Sequence, residues 1–326
     1  MNKIIVVGAS VVDVLVKSKE LKVLKSHEVA GGVAMCEVMG GKIEAEELEV
    51  CSGGGGSNVA VGLKKIGESV KLISRIGEDG MGKIIESELT GYQLDLAMLQ
   101  KGKGKTGVST VLVNSSGGRS IVTFRGESLK IENREIDWEV VKKADWIQIS
   151  SLGGRMDLLT EFVNFGHSNG IKVGVNPGKA ELESAVFKEI LPKVDFLSLN
   201  RAEASKLTGL DFEKEEDVLK KINDFGVRVV TVTDGRRGAT LMRANKWYKM
   251  ETFANKSVDY TGHVHAFVCG ALSGILDYKN DEDILKMGLA NGSSVVSQMG
   301  AKAGLLTKGE MEKWMKKKLK TVEGWI

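Results

Sequence analysis

Proline and cysteine are both scarce in these 326 residues, with two of the first and three of the second. Pro177 and Pro192 stand alone, and no Ser/Gly-rich tract lies outside turns. That leaves no composition for a flexible interdomain linker, so one unit spanning 1–326 is expected. Cys36, Cys51 and Cys269 have neither metal-ligand spacing nor the even count of a disulfide framework, which points to packed thiols in a reducing, cytoplasmic compartment. Excess charge is also missing. The formal net charge is +3, and the one basic run, Lys316-Lys317-Lys318-Leu319-Lys320, reads as a solvated helix end. A nucleic-acid partner is therefore not expected. No apolar stretch reaches the ~20 residues needed to span a bilayer, so a soluble protein without a membrane partner is expected. Asp13 interrupts the only apolar run that superficially resembles a signal segment, Ile4-Ile5-Val6-Val7, and that run reads as a first buried strand. Internal repeats are absent.

What is present is alternation. Short β-branched runs, Ile4–Val7, Val70–Ser74, Trp146–Ile149, Val173–Val175, Phe196–Leu199 and Val229–Val232, alternate with amphipathic helical segments. Such alternation predicts an α/β fold with a central, mostly parallel sheet flanked by helices. Residues 14–50 hold no convincing long helix, while Ile43–Val50 and Gly107–Val113 read as extended pieces. They predict a small β-sheet lid built from segments at about 14–52 and 104–126.

Glycine, at 40 residues, is abundant and clustered. Ser52-Gly53-Gly54-Gly55-Gly56-Ser57-Asn58 leads into a helical pattern, where the backbone can approach a ligand closely and the helix N-terminus offers free N–H donors. Asn176-Pro177-Gly178, Asn200-Arg201-Ala202-Glu203 and Thr233-Asp234-Gly235-Arg236-Arg237-Gly238 follow successive predicted strands. Singly each is an ordinary strand-to-helix turn. Together they mark the carboxyl ends of parallel strands, where open α/β sheets bind ligands.

With Asp13, Gly77-Glu78-Asp79-x-x-Gly82 and the stretch Asp259-Tyr-Thr-Gly-His-Val-His-Ala-Phe267, this collinear set resembles the ribokinase-like (PfkB) carbohydrate kinases over nearly the whole chain. The last stretch matches their D-T-x-G-A-G-D-A-F signature with three residues exchanged. The resemblance implies a ribokinase-like fold and transfer of the γ-phosphoryl of ATP to a sugar or nucleoside hydroxyl. It implies that Asp13, Gly55, Gly56 and Asn58 hold the sugar, with Arg125 reaching in from the lid. Asn200 and Glu203 would organise Mg²⁺ and phosphate through bound water, with Glu203 as the metal-side carboxylate. Thr233, Gly235 and Gly238 would border the nucleotide, and Asn291 would lie beside adenine or ribose. The Gly300-Ala301-Lys302-Ala303-Gly304 turn would complete the nucleotide and a monovalent-cation environment. Lys105 and Arg119 read as solvated lid charges. A homodimer through the lid is expected, as in many similar kinases.

The exchanged residues are His263, Val264 and His265, where the family has Ala, Gly and the catalytic Asp after the conserved Gly262. Phosphoryl transfer rests on positioning and charge stabilisation. Val264 is expected to resist any positive φ the turn requires and to crowd the phosphate site. His265, larger than a carboxylate, is expected to place its nitrogen elsewhere, so kinase chemistry should be severely impaired. Three clustered changes in an otherwise intact motif read as redesign of a kinase scaffold, and a natural pseudoenzyme leaves the same trace. One alternative is a His-based hydrolytic or metal site in the sugar pocket. Zinc would be its cofactor, with His263 and His265 joined by His27, His167, Cys269, Asp13 or Glu203, or with His265 paired to Cys269 one helical turn on. The other alternative is a non-catalytic sugar- or nucleotide-binding protein.

Overall fold

The computed structural model describes residues 1–25, 33–37, 39–115, 118–254 and 258–326. In chain order the strands are β1 (Lys3–Val7), β2 (Val11–Lys17), β3 (Lys22–Lys25), β4 (Val33–Cys36), β5 (Glu47–Gly53), β6 (Ser69–Gly77), β7 (Leu99–Gly102) and β8 (Gly107–Val113). They continue as β9 (Arg119–Phe124), β10 (Trp146–Ser150), β11 (Lys172–Asn176), β12 (Phe196–Asn200), β13 (Val229–Thr233), β14 (Ala239–Arg243), β15 (Lys246–Met250) and β16 (Thr321–Trp325). The main sheet runs β16-β15-β14-β13-β12-β11-β10-β1-β6-β7. From β7 to β13 the pairings are parallel, and β13 to β16 are antiparallel.

Every strand expected from the β-branched runs is found, lengthened by a residue or more. Two-residue alternation explains why their side chains serve two cores. Ile4 and Val6 enter one cluster, with the helices Gly55–Ile66, His263–Leu276 and Asp281–Val295. Ile5 and Val7 enter the other, with the helices Met156–Asn169 and Glu215–Asn223. None of the helices among the described residues is long and apolar enough to cross a membrane.

The segments expected to form a lid contribute to a second sheet, β5-β2-β8-β9. Register sorts its side chains. Asp13 lies opposite Cys51 and Ser109, and Leu15 opposite Glu49 and Val111, so these share the inner face with Ile121 and Arg119. Leu15, Val111 and Val113 pack with Cys51 and Met299. Val14, Val16, Leu48, Val50, Leu112, Val122 and Phe124 fall on the outer face. Of these, Leu48, Val50, Val122 and Phe124 are exposed. The basic run differs from expectation: the helix Lys308–Met315 ends before it, and the chain then enters β16.

Candidate active site

The site lies where β1, β10, β12 and β13 end and the helix His263–Leu276 begins. Gly54, with φ 88°, turns the end of β5 into the helix Gly55–Ile66. There Gly56 N–H donates to the Ala9 carbonyl at 3.0 Å. A Cβ on Gly56 would meet the Gly8 backbone at 2.6 Å, so the run must be glycine for strand and helix to touch. Asn58 is buried, and its Oδ1 has no hydrogen-bond partner among the described residues.

Asp13 is buried on the lid's inner face. Burial pushes its carboxyl up to about 6, against the opposing pull of Lys302 and a hydrogen bond from Ser109. Lys302 was expected only as part of the 300–304 turn, not beside Asp13 and Ser52. Its Nζ is buried, donating to the Ser52 carbonyl and to Ser52 Oγ at 2.7 Å, with Glu88 Oε1 at 3.4 Å. Glu88 in turn accepts from Ser52 N–H. Burial lowers the Lys302 pKa, and Glu88 opposes it. A lysine inside a turn of small residues was the available signal, but only the fold aims it at Ser52.

The helix His263–Leu276 starts from Gly262, whose φ is 76°. The left-handed residue is Gly262, which the chain retains, while Val264 is the second helical residue and carries no positive φ. The first main-chain bond of the helix is Ala266 N–H to Gly262 O. Donors at 263–265 thus keep the orientation of a helix N-terminus, with no side-chain cap.

The two histidines diverge, as residues two apart on a helix must. His263 lines a cavity of about 860 Å³ together with Thr233, Gly235, Gly238, Tyr260 and Gly292. Its Nδ1 lies 2.6 Å from the Tyr260 carbonyl, an acceptor only, so Nδ1 carries the proton and Nε2 is the free acceptor. Burial holds its pKa below the ordinary value, and the lid's Arg119 adds to that. Arg119, although exposed, therefore acts electrically on the site. His265 turns the other way. A Cβ on Gly55 would sit 2.9 Å from His265 Nε2 and 3.1 Å from Ser150 Oγ, which places the imidazole over the glycine run at the end of β10. Its Nδ1 and Ser150 Oγ both lack partners among the described residues. Burial, with the positive fields of His263 and Lys302, pulls its pKa down to about 4, so the ring is neutral near pH 7.

Asn200, ending β12 beside Thr233 of β13, forms a capping box with Glu203. Asn200 Oδ1 accepts from Glu203 N–H at 2.9 Å, and Glu203 Oε2 accepts from Asn200 N–H at 2.8 Å. Burial raises the Glu203 pKa, and the Asn200 hydrogen bonds oppose it. Other expected residues sit elsewhere. Asn291 does not reach the cavity: it is fully buried, donating to the Ala266 carbonyl at 2.8 Å and accepting from Leu306 N–H at 2.9 Å. Its neighbours Gly292 and Ser293 line the cavity instead. Arg125 is exposed at the end of β9, and its guanidinium has no partner among the described residues. Lys105 is exposed. Ser150 was missed, although its place at a parallel strand's carboxyl end was a usable signal.

No group of three or more His, Cys, Asp or Glu that could hold a metal occurs among the described residues. His27 lies outside them, and His167 is exposed near the end of the helix Met156–Asn169. Cys269 is buried against Gly62 and donates to the Val59 carbonyl at 3.5 Å. Burial raises its thiol pKa.

One ligand-sized cavity thus opens beside the N-terminus of the helix His263–Leu276, and unpartnered polar atoms of Asn58, Ser150 and His265 gather near the glycine run. The pfkB family carbohydrate kinase profile matches residues 1–308, and the chain belongs to that family. It is similar to a ribokinase of Haemophilus influenzae, 25% identical over 279 residues that cover 83% of this chain and 89% of the relative. A deoxyribokinase of Salmonella typhi is 26% identical over 235 residues, covering 70% and 76%. Among solved structures, Arabidopsis thaliana ribokinase complexed with ribose and ATP superposes with a TM-score of 0.80 at 24% identity, over 97% of this chain and 99% of that one. Thermotoga maritima ribokinase does so at 0.79 and 24%, over 97% and 100%. The fold is ribokinase-like.

Proposed function

We propose that this chain binds ATP in the cavity beside His263 and a sugar or nucleoside over the glycine run, and that His265 leaves phosphoryl transfer between them severely impaired. The carrying observation is the orientation of His265: a neutral imidazole at the position of the family's catalytic carboxylate, beside Gly55 and Ser150. Asn58 Oδ1 and Ser150 Oγ, buried and unpartnered, suit ligand hydroxyls, as does the carboxyl of Asp13. The uncapped N–H groups at 263–265, at the start of the helix whose first residue lines the cavity, suit a transferring phosphoryl group. In this reading the retained αL turn at Gly262 keeps the helix donors in place and the main defect lies in the base. The neutral ring, larger than a carboxylate and with one acceptor nitrogen in place of two oxygens, does not set an acceptor where the hydroxyl proton leaves.

Mg²⁺ fits this proposal at Glu203, a half-buried carboxylate that the capping box holds through Oε2 and that no ion pair neutralises among the described residues. When bound it would neutralise phosphate charge there. The turn at 300–304 fits a monovalent cation less well. Asp259 already accepts from Thr261 N–H, Thr261 Oγ and Gly300 N–H, and no orphaned side-chain acceptor remains there among the described residues. The proposal also takes 1–326 as a single domain, and a second copy as the partner covering the lid's apolar outer face.

Calorimetric titration of the full chain with ATP or ADP and with a panel of pentoses, hexoses and nucleosides tests the reading. Nucleotide and sugar binding with little ADP release is expected; absence of both binding events would overturn it. One observation favours a second reading. His265 Nε2 and Ser150 Oγ converge on Gly55, and a neutral imidazole beside a hydroxyl is the composition of an ester-hydrolysing pair. Turnover of p-nitrophenyl esters that is lost in both His265→Ala and Ser150→Ala, but kept in His263→Ala, would favour it.

A further inference from the structure

The family match ends at residue 308, yet the chain beyond it is built into the wall of the cavity. β16 pairs with β15 in unbroken antiparallel register from Lys246↔Trp325 to Met250↔Thr321. Lys246 locks the pair: its Nζ is 2.8 Å from Glu323 and lies over the rings of Tyr248 and Trp325. Gly324 lies so close to the indole of Trp247 that a Cβ would stand 2.5 Å from it. The preceding helix contributes as well. Trp314 meets Phe253, a cavity residue, edge to face at 4.9 Å, and Lys317 stacks on Trp314 at 4.5 Å.

This ordered segment presents Lys320 and Val322 to the cavity. Val322 joins Phe253, Phe267, Leu289 and Val296 among the apolar residues of the lining. Other cations of the lining are engaged: Lys249 with Glu215, Arg237 with Asp234 at 3.4 Å, and Arg236 with Tyr260 Oη at 3.0 Å. The ammonium of Lys320 has no acidic partner among the described residues, while its carbonyl accepts from Glu251 N–H at 3.2 Å.

We propose that β16 is a base-binding wall supplied by the segment beyond the family match. Val322 packs on one face of the nucleotide's heteroaromatic base, and Lys320 donates to a ring-nitrogen or carbonyl acceptor on its edge. An apolar slot with one charged donor at its rim is the composition of a selective small-molecule site. The inference rests on the nucleotide reading of the cavity.

The test is calorimetric titration of ADP into the full chain and into Val322→Trp, Val322→Ala and Lys320→Met, with circular dichroism melting of each. Val322 is 51% exposed, so its variants are expected to fold. Filling the slot in Val322→Trp should weaken ADP by about 10-fold or more, and Lys320→Met by about 3- to 10-fold, with sugar affinity unchanged. Should Val322→Trp misfold, Val322→Ala and Lys320→Met still decide. A parent that binds ADP alongside folded variants that bind it equally well overturns the wall and leaves the nucleotide reading standing. A parent that binds no ADP overturns both.

Discussion

Replacing His263, Val264 and His265 by Ala, Gly and Asp should restore kinase turnover. The perturbation is mild for the fold. His263→Ala removes the hydrogen bond to the Tyr260 carbonyl, about 0.5–1.5 kcal/mol, and recovers some of it through alanine's better helix propensity. Val264→Gly costs roughly 0.5 kcal/mol of propensity in the first turn. A carboxylate at 265 gains about 0.3–1 kcal/mol from the uncapped helix N-terminus. The net change is about 1 kcal/mol, within what a folded domain tolerates. The rate effect is larger. A positioned general base contributes about 10²–10⁴-fold, or roughly 3–5 kcal/mol of barrier. Because the backbone turn is already formed around Gly262, His265→Asp alone should recover most of this gain. The assay is ADP release coupled to NADH oxidation across the sugar and nucleoside panel. A folded triple variant that binds nucleotide and sugar, yet turns over no faster than the parent, would refute the argument.

Acid stability should show two opposing slopes. His265, with a folded pKa about 4 against an ordinary 6.5, gives stability that is present above 6.5 and lost as pH falls towards 4. Asp13, raised from 3.8 to about 6, does the reverse, costing stability as pH rises through that interval. In urea titrations between pH 4 and 7, His265→Ala should flatten the acid loss and Asp13→Asn should steepen it; identical profiles would refute the assignments. Lys302→Met should destabilise by about 1–3 kcal/mol, because Glu88 and the Ser52 carbonyl lose a buried donor. Unchanged urea midpoints would count against that clamp. Light scattering at tens of micromolar should report a dimer that Val122→Lys with Phe124→Lys converts to monomer, and a monomeric parent would remove the lid interface.

Much of the fold was legible because its strands are local and two-sided. Val229–Val232 or Ile4–Val7 declare a buried strand through β-branching alone, and Gly107–Val113 shows its lid alternation directly. β14 and β15 were missed because Lys246-Trp-Tyr-Lys-Met is amphipathic in a way that only an antiparallel edge resolves. β16 was missed because Thr-Val-Glu-Gly-Trp is too short to declare itself without Lys246–Met250 beside it. The site was legible in outline through its glycine and Asn-x-x-Glu turns. Direction was not: that His263 lines the cavity while His265 lies over Gly55, that Asn291 bonds inward to Ala266, and that Lys302 reaches Ser52 are all decided by helix phase and tertiary packing.

The register of β16 also bears on how the chain is made. β15 acquires its outer neighbour only when residues 321–325 appear, about 70 residues later, or roughly 4–14 s at 5–20 residues per second. During that interval Trp247 and Tyr248 stand on an open strand edge, the kind of template on which nascent chains pair with one another. A truncation near residue 315 would make the interval permanent. Its symptom in a producing cell would be inclusion bodies, and any chain that stayed in solution would lack Lys320 and Val322 of the cavity lining.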